Sequence, residues 1–398
     1  MSPRISHQMD LQKPVLQARN GKIGIYVHYP YCYQKCDYCD FYSEGIGKDP
    51  STNEGLLFET FRKEFLERKK NSPSISNLEV DTIFFGGGTP SKASSQNWKE
   101  LLSFFRDEVK VSPRVEISLE ANPEDLSAEL LDDLASAGIN RLNVGVQTRN
   151  EKGLAFLGRH IDSAKYNSLS ELFKNSPIPR LGIDLMYGIP NLTKTDFEAD
   201  LDFFLSLNLE HLSLYSLTLE KGTAYSRKVT ENLLPPPNEE IQREILEFLP
   251  QKMESHGYIW YEVSNYAKPE QFSRHNLRYW MYEPYIGIGP GAHGFLDEYR
   301  YGNARNASSY LKRPNAAKQE LASPKEELIL SLFRLFLPFA PISFFQKYLN
   351  NQDQTAILRQ IEVLKGKSLC LWDGHTFQWN ESALLMLDDL ILTLATAE

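Results

Sequence analysis

Three of the chain's four cysteines, Cys32, Cys36 and Cys39, fall in one short segment with the spacing C-x3-C-x2-C. The segment runs Tyr26-Val27-His28-Tyr29-Pro30-Tyr31-Cys32-Tyr33-Gln34-Lys35-Cys36-Asp37-Tyr38-Cys39-Asp40-Phe41-Tyr42. Thiolates are the natural ligands of iron–sulfur clusters, and a cubane held by three of them keeps one iron without a protein ligand. An open position on a metal is where a substrate binds. A structural zinc site would want a further Cys or His in paired spacing. Here the spacing is unpaired, Cys370 is far along the chain, and His28 precedes the loop. Three unrelated buried thiols would not crowd into one loop. The stretch reads as a reactive cluster with one coordination site free.

The elements that must position this loop follow from hydrophobic periodicity. A strand over 22–28 alternates Ile23, Ile25 and Val27 and ends at the cysteine loop. A helix is expected over 53–70, then a buried strand over 80–85 that empties into Gly86-Gly87-Gly88-Thr89-Pro90-Ser91. Helices are expected over 96–109, 127–137 (closed by Gly138), about 162–174 and 194–207. Strands are expected over 115–119, 141–146, 181–186 and 211–217. Strand–loop–helix repeated in this way is the pattern of a parallel sheet with helical crossovers, as a doubly wound sheet or a closed or partial barrel. The unusual polar residues gather just past the strand ends, which in barrels is the active face. No phosphate loop or dinucleotide fingerprint opens the first helix.

Pro235-Pro236-Pro237 then punctuates the chain. A helix over 239–256 and a strand over 258–263 follow. Residues 264–323 are rich in aromatics, Gly and Asn with weak periodicity, which reads as irregular functional loops. Beyond them come helices over 325–337, 341–349, 357–367 and 381–395, with a hairpin around Asp373-Gly374. Helices with a two-stranded wing resemble a winged-helix unit. The domain limits expected are a tail over 1–21, a barrel over 22–237, an extension over 238–323 and a winged-helix-like domain over 324–398.

The 398 residues carry a net charge of −9, with 41% hydrophobic and 12% aromatic residues. That supports a well-filled core and argues against nucleic acid as a partner, since no basic face is visible. Clustered cysteines in unpaired spacing argue against a disulfide framework and for a reducing compartment. The first 21 residues are polar, without a secretory signal, and no apolar run reaches membrane-spanning length. A cytoplasmic protein is expected.

Around the cysteines, Gly86-Gly87-Gly88-Thr89-Pro90 would let a backbone approach a ligand and expose its amides. Glu120, Gln147 and Asp184 sit at or near successive strand ends, and Arg159 lies in Gly158-Arg159-His160. A carboxylate suits an amine or ribose hydroxyls, and a guanidinium suits a carboxylate. Each alone is as well explained by a cap or salt bridge; their shared face favours a site.

With these residues in view, the chain resembles the radical SAM superfamily and, within it, the HemN/HemW family. The motifs are the cysteine segment, Gly86-Gly87-Gly88-Thr89-Pro90-Ser91, Gly145-Val146-Gln147, Gly158-Arg159-His160 and Asp184-Leu185-Met186-Tyr187-Gly188-Ile189-Pro190, and the resemblance covers about residues 22–395. It implies a partial (β/α)6 barrel with a [4Fe–4S] cluster on Cys32, Cys36 and Cys39. The amine and carboxylate of S-adenosylmethionine would chelate the open iron. By resemblance, Tyr26, Tyr38, Gly87, Gly88, Thr89, Glu120, Gln147, Arg159 and Asp184 surround that cofactor, which one electron from the cluster would cleave to a 5′-deoxyadenosyl radical.

Two branches of the family differ. The coproporphyrinogen dehydrogenase branch carries a further Cys two residues after the third, where this chain has Phe41, and a longer N-terminal extension. The HemW-type heme chaperones carry H-N-x-x-Y-W, here His275-Asn276-Leu277-Arg278-Tyr279-Trp280. Imidazole is a standard axial ligand of heme iron, which makes His275 the candidate ligand, with His293 of Gly289-Pro290-Gly291-Ala292-His293 as a second. Read without the family, His275 is better explained as a structural His in an aromatic cluster. Asn191-Leu192 departs from the Gly-Gln pair common at that place and would loosen contacts near Asp184. The function implied is a heme chaperone that binds heme and hands it to apo-hemoproteins, with no residue assigned a catalytic role. The partners implied are heme, an acceptor hemoprotein, an electron donor for the cluster and peripheral contact with membrane hemoproteins. A monomer or a cluster-dependent dimer is expected. The alternatives are oxygen-independent coproporphyrinogen III dehydrogenation and another radical SAM reaction.

Overall fold

The structure is a computed structural model that describes residues 13–46, 53–159, 163–314 and 317–397, without the side chains of Ser163, Ala164 and Asn167. His160 and most of the expected tail lie outside the described residues. The chain divides into two units: Gly21–His256 with Pro284–Glu320, and Met1–Asn20 with Gly257–Glu283 and Leu321–Glu398.

The larger unit is built on six parallel strands, β1 (Lys22–Tyr29), β2 (Glu79–Gly87), β3 (Val111–Ala121), β4 (Arg141–Gln147), β5 (Leu181–Tyr187) and β6 (His211–Ser216). They are neighbours in chain order. The crossovers are α1 (Glu54–Asn71), α2 (Ser95–Glu108), α3 (Ala128–Ala137), α4 (Glu151–Phe156), α5 (Ser163–Lys174) and α6 (Lys194–Ser206). This is the partial (β/α)6 barrel. After β6 come α7 (Ala224–Thr230) and α8 (Glu239–Ser255).

The alternation of each strand sorts its side chains to two faces. Ile23, Ile25 and Val27 of β1, Ile83 and Phe85 of β2, Val144 and Val146 of β4 and Ile183 and Leu185 of β5 are buried towards the helices. There Trp98 of α2 meets Phe85 at 4.4 Å and Phe58 of α1 at 4.7 Å between ring centroids. Each such ring contributes about 1.5–3 kcal/mol by leaving water. The other face is polar. Tyr26 lies beside Phe84, Phe84 beside Ser118, Glu120 beside Asn143, and Gly145, Asp184 and Ser213 form one row across β4, β5 and β6. Gly138 closes α3 at φ 108°, as its sequence position predicts.

The stretch 264–323 is more ordered than its weak periodicity predicts. It contains two helices, Arg274–Trp280 and Ala307–Lys312, and five strands, Asn265–Ala267 and Lys318–Leu321 at its ends and, between them, β7 (Tyr285–Ile288), β8 (His293–Leu296) and β9 (Tyr299–Gly302). β7 runs parallel to β1, and β8 and β9 add antiparallel. Four-residue strands with a glycine in each are too short for a period-two signal. The helix α4 is likewise shorter than its period needs.

In the smaller unit the expected helix over 325–337 stops at Leu332, and Leu335 instead bridges to Glu262. The helix expected over 357–367 begins earlier, at Asn351, because the Asn350 side chain caps it. A 3-10 turn, Glu381–Met386, replaces the first part of the last helix, Leu387–Ala395. The expected hairpin pairs Cys370–Trp372 with Phe377–Trp379. Asp373 accepts from the amides of His375 and Thr376, which fixes its turn. Among the described residues no helix is long and apolar enough to cross a membrane.

Candidate functional site

The cysteine loop leaves the end of β1 and is fastened at both ends. The Glu44 amide donates to Pro30 O (2.8 Å) and the Ile46 amide to Cys32 O (3.0 Å). His28 secures the exit. Its Nε2 lies 2.7 Å from Tyr42 O and its Nδ1 3.0 Å from the Tyr26 hydroxyl. A carbonyl only accepts, so Nε2 carries the proton and Nδ1 receives the phenol. Burial holds this ring neutral, with its pKa lowered to about 4.

The glycine run is explained by the same loop. Gly87 takes φ 107°, and a Cβ there would sit 2.6 Å from the His28 ring. A Cβ on Gly88 would sit 2.6 Å from Tyr31 O. The Gly88 amide donates to Tyr29 O (2.6 Å), the Thr89 amide to Tyr31 O (2.8 Å) and the Gly87 amide to Glu120 Oε2 (3.2 Å). The amides expected to face a ligand therefore bind the chain itself, and the glycines let β2 press against the loop. Gly88→Ala is expected to lower the thermal midpoint by several degrees and to impair cluster assembly, because the clashing atoms are backbone. Differential scanning calorimetry and iron analysis check both.

Cys32, Cys36 and Cys39 are free and half-buried. Burial pushes the Cys36 thiol up, opposed by the nearby Arg159 charge, and pushes Cys39 up to about 11, reinforced by Cys36. Arg159, buried between strand ends, donates from Nη1 to Gly145 O (2.8 Å) and from Nη2 to Asn122 Oδ1 (3.0 Å). Its guanidinium also faces the Tyr38 hydroxyl and Glu124. Asn122 Nδ2 in turn reaches Thr89 Oγ1 at 3.3 Å. Thr89, Asn122 and Arg159 so link the ends of β2, β3 and β4. Asn122 escaped the sequence reading, although it stands in Glu120-Ala121-Asn122-Pro123 just past a strand end. Tyr38 packs against a cluster of Leu157, Met186, Ile189, Leu192, Leu217 and Tyr225. Lys228 Nζ binds Asp37 Oδ2 at 2.6 Å and pins the loop from α7.

On the polar face two carboxyls interact. Burial, then the charge of Asp184, raises Glu120 to about 8. Burial raises Asp184 to about 6, opposed by the Ser213 hydroxyl. Ser118 Oγ, Asn143 Oδ1 and Asp184 Oδ1 are buried without a hydrogen-bond partner among the described residues. Such orphaned atoms suit a ligand that supplies donors. Gln147 adopts φ 68°, left-handed for a non-glycine, at a register shift in β4. Strain of this kind collects at functional sites.

The remaining candidates sit elsewhere. His275, in the smaller unit, is fully buried, and its Nε2 lies 2.9 Å from the Tyr279 hydroxyl. His293, on β8 of the larger unit, is exposed. Among the described residues no three His, Cys, Asp or Glu side chains converge on a point that would hold a single metal ion. Three free thiols on a pinned loop beside an arginine, above unpartnered buried acceptors, fit an iron–sulfur cluster with a polar co-ligand.

A parallel barrel sheet with these cysteines past its first strand defines a radical SAM protein, and the model of the Radical SAM superfamily matches residues 26–204. The chain is 32% identical over 387 residues to the heme chaperone HemW of Haemophilus influenzae, covering 94% of this chain and 98% of that protein. It is 37% identical over 290 residues to the heme chaperone HemW of Bacillus subtilis, covering 72% and 74%. Its fold matches coproporphyrinogen III oxidase (HemN) of Escherichia coli with a TM-score of 0.77 at 21% identity, over 94% and 90% of the two chains. The chain belongs to the HemW branch of the HemN/HemW family.

Proposed function

We propose that the chain is a heme chaperone: it binds heme and passes it to apo-hemoproteins, while a cluster and S-adenosylmethionine on the barrel regulate its state or oligomerisation. The observation that carries this reading is the likeness to HemW proteins along almost the whole chain. A second feature supports it. Phe41, where the porphyrinogen-oxidising branch has its additional cysteine, is 69% exposed.

In this reading Cys32, Cys36 and Cys39 hold a [4Fe–4S] cluster, which when bound supplies one-electron chemistry. Glu120 and Asp184, between them carrying about one negative charge at pH 7, receive the methionyl amine and ribose hydroxyls of adenosylmethionine. Arg159 neutralises thiolate charge and faces the methionyl carboxylate. Tyr26, Tyr38, Gly87, Gly88, Thr89 and Gln147 shape the cradle. The cysteines need a reducing compartment, which supports a cytoplasmic location with an electron donor. Ligation of heme by His275 would require its bond to Tyr279 to open.

The test is heme transfer. The chain loaded with hemin is mixed with an apo-hemoprotein, and the two are separated by size. The Soret absorbance is expected to move to the acceptor within minutes. A chain that takes up no hemin, or keeps all of it, contradicts the proposal.

A further inference from the structure

We propose that His293 is an axial ligand of heme iron, with the guanidinium groups of Arg300 and Arg305 receiving the heme propionates. This rests on the reading of the chain as a heme carrier. A porphyrin iron needs a nitrogen lone pair on an accessible ring, a flat apolar wall, and cations for its two carboxylates. The β8–β9 ribbon carries the ring and a cation, and the adjoining cysteine loop offers Phe41, 69% exposed, as an apolar wall. His293 pairs with Gly302 and Phe295 with Arg300 across the two strands. Alternation therefore puts His293, Phe295, Arg300 and Gly302 on one face.

The imidazole of His293 is exposed, and no hydrogen bond engages it among the described residues. Its opposite residue is a glycine, and a Cβ on Gly302 would stand 3.0 Å from the imidazole. A side chain there would press on the ring, which the glycine leaves clear. Partial burial, then Arg305 and Arg300, hold the His293 pKa down. The ring is thus neutral at pH 7, the form that ligates iron. His275 contrasts at each point, being fully buried with its Nε2 engaged by Tyr279.

The two cations stand close enough to His293 for their charge to act on it. Arg300 lies over the Phe295 ring at 4.7 Å and donates from Nη1 to the Tyr285 hydroxyl at 3.4 Å. Arg305 donates from Nη2 to Asp40 O at 2.5 Å and lies 3.7 Å from the Asp40 carboxylate, an exposed pair that a propionate would have to displace. A guanidinium presents its N–H donors as a planar fork whose geometry matches a carboxylate. Arg305 also ties this face to the cysteine loop, and Gly291, two residues before His293, packs against Tyr42 of that loop. The exposed Phe41 is one residue from that contact. Heme bound here would sit beside the loop of the three thiols.

The test titrates hemin into the native chain, His293→Ala, His275→Ala and Arg300→Gln/Arg305→Gln, following the Soret band and affinity. His293→Ala is expected to lose the native Soret position and about tenfold in affinity, and added imidazole is expected to restore the band. The arginine double variant is expected to lose about tenfold for hemin and little for hemin dimethyl ester. Because His293 and Arg305 are exposed, unchanged melting midpoints control for folding. If the native chain binds hemin and His293→Ala binds it identically, the assignment is overturned while heme carriage stands. The same holds if only His275→Ala loses the band. If the native chain binds no hemin, the assignment and the heme reading fail together.

Discussion

Reconstituted anaerobically with iron and sulfide, the Cys36→Ser protein is expected to lose the brown chromophore of the native chain and to retain less than about one iron of the four in a cubane. The geometry explains why one thiol decides the outcome. Cys32, Cys36 and Cys39 are the chain's clustered cysteines, and Cys370 is buried in the smaller unit. Cys36 is also the thiol beside the Arg159 charge that favours its ionised form. A serine hydroxyl, far less acidic than a thiol, does not replace it as a soft ligand. The fold is expected to survive, because the loop is pinned through Gly88, Thr89, His28 and Asp37 rather than through the sulfurs. Far-ultraviolet circular dichroism checks that. If iron content and visible absorbance persist in the variant, the cluster assignment is wrong.

The carboxyl pair on the polar face gives the second large effect. Asp184→Asn is expected to weaken adenosylmethionine binding about 10- to 100-fold, the cost of removing a charged partner from a donor in a buried site. Isothermal titration of the reconstituted protein measures it. The same pair governs stability in the cofactor-free chain. Glu120 is raised to about 8 and Asp184 to about 6 in the folded state. Both exceed the ordinary carboxyl values of 4.5 and 3.8. The folded state therefore binds more protons than the unfolded one. This stability is fully present below about pH 4 and is lost as pH rises through about 6 and then about 8. At about 1.36 kcal/mol per pH unit the two displacements set an upper bound of about 8 kcal/mol on the loss, about ten degrees or more in the melting midpoint. Glu120→Gln should flatten the upper limb. A midpoint unchanged between pH 5 and 8.5 would show that the two carboxyls are not desolvated as the structure has them.

The barrel is legible in the sequence because each β strand alternates or runs apolar long enough to show its period, as Ile23, Ile25 and Val27 do, and because glycine and polar residues mark each strand end. The cysteine loop is legible because three soft ligands so close together have few other uses. What escaped is what depends on long-range packing. Gly86-Gly87-Gly88 reads as a ligand cradle, but only the fold reveals that its amides and missing side chains serve Tyr29, Tyr31, Glu120 and His28. The role of Asn122 arises from Arg159, which is remote in sequence. The strands β7 to β9 are too short to carry a period. His275 and His293 are equally plain in the sequence, and only burial separates them, since neighbours from other parts of the chain decide which imidazole meets solvent.

The most direct measurement of the central claim gives coproporphyrinogen III to the reconstituted protein under anaerobic conditions, with dithionite and adenosylmethionine. Heme carriage without porphyrinogen oxidation, as Phe41 in place of a further cysteine implies, predicts that the substrate is recovered unchanged while the same preparation binds hemin. Formation of protoporphyrinogen by the native chain would contradict it.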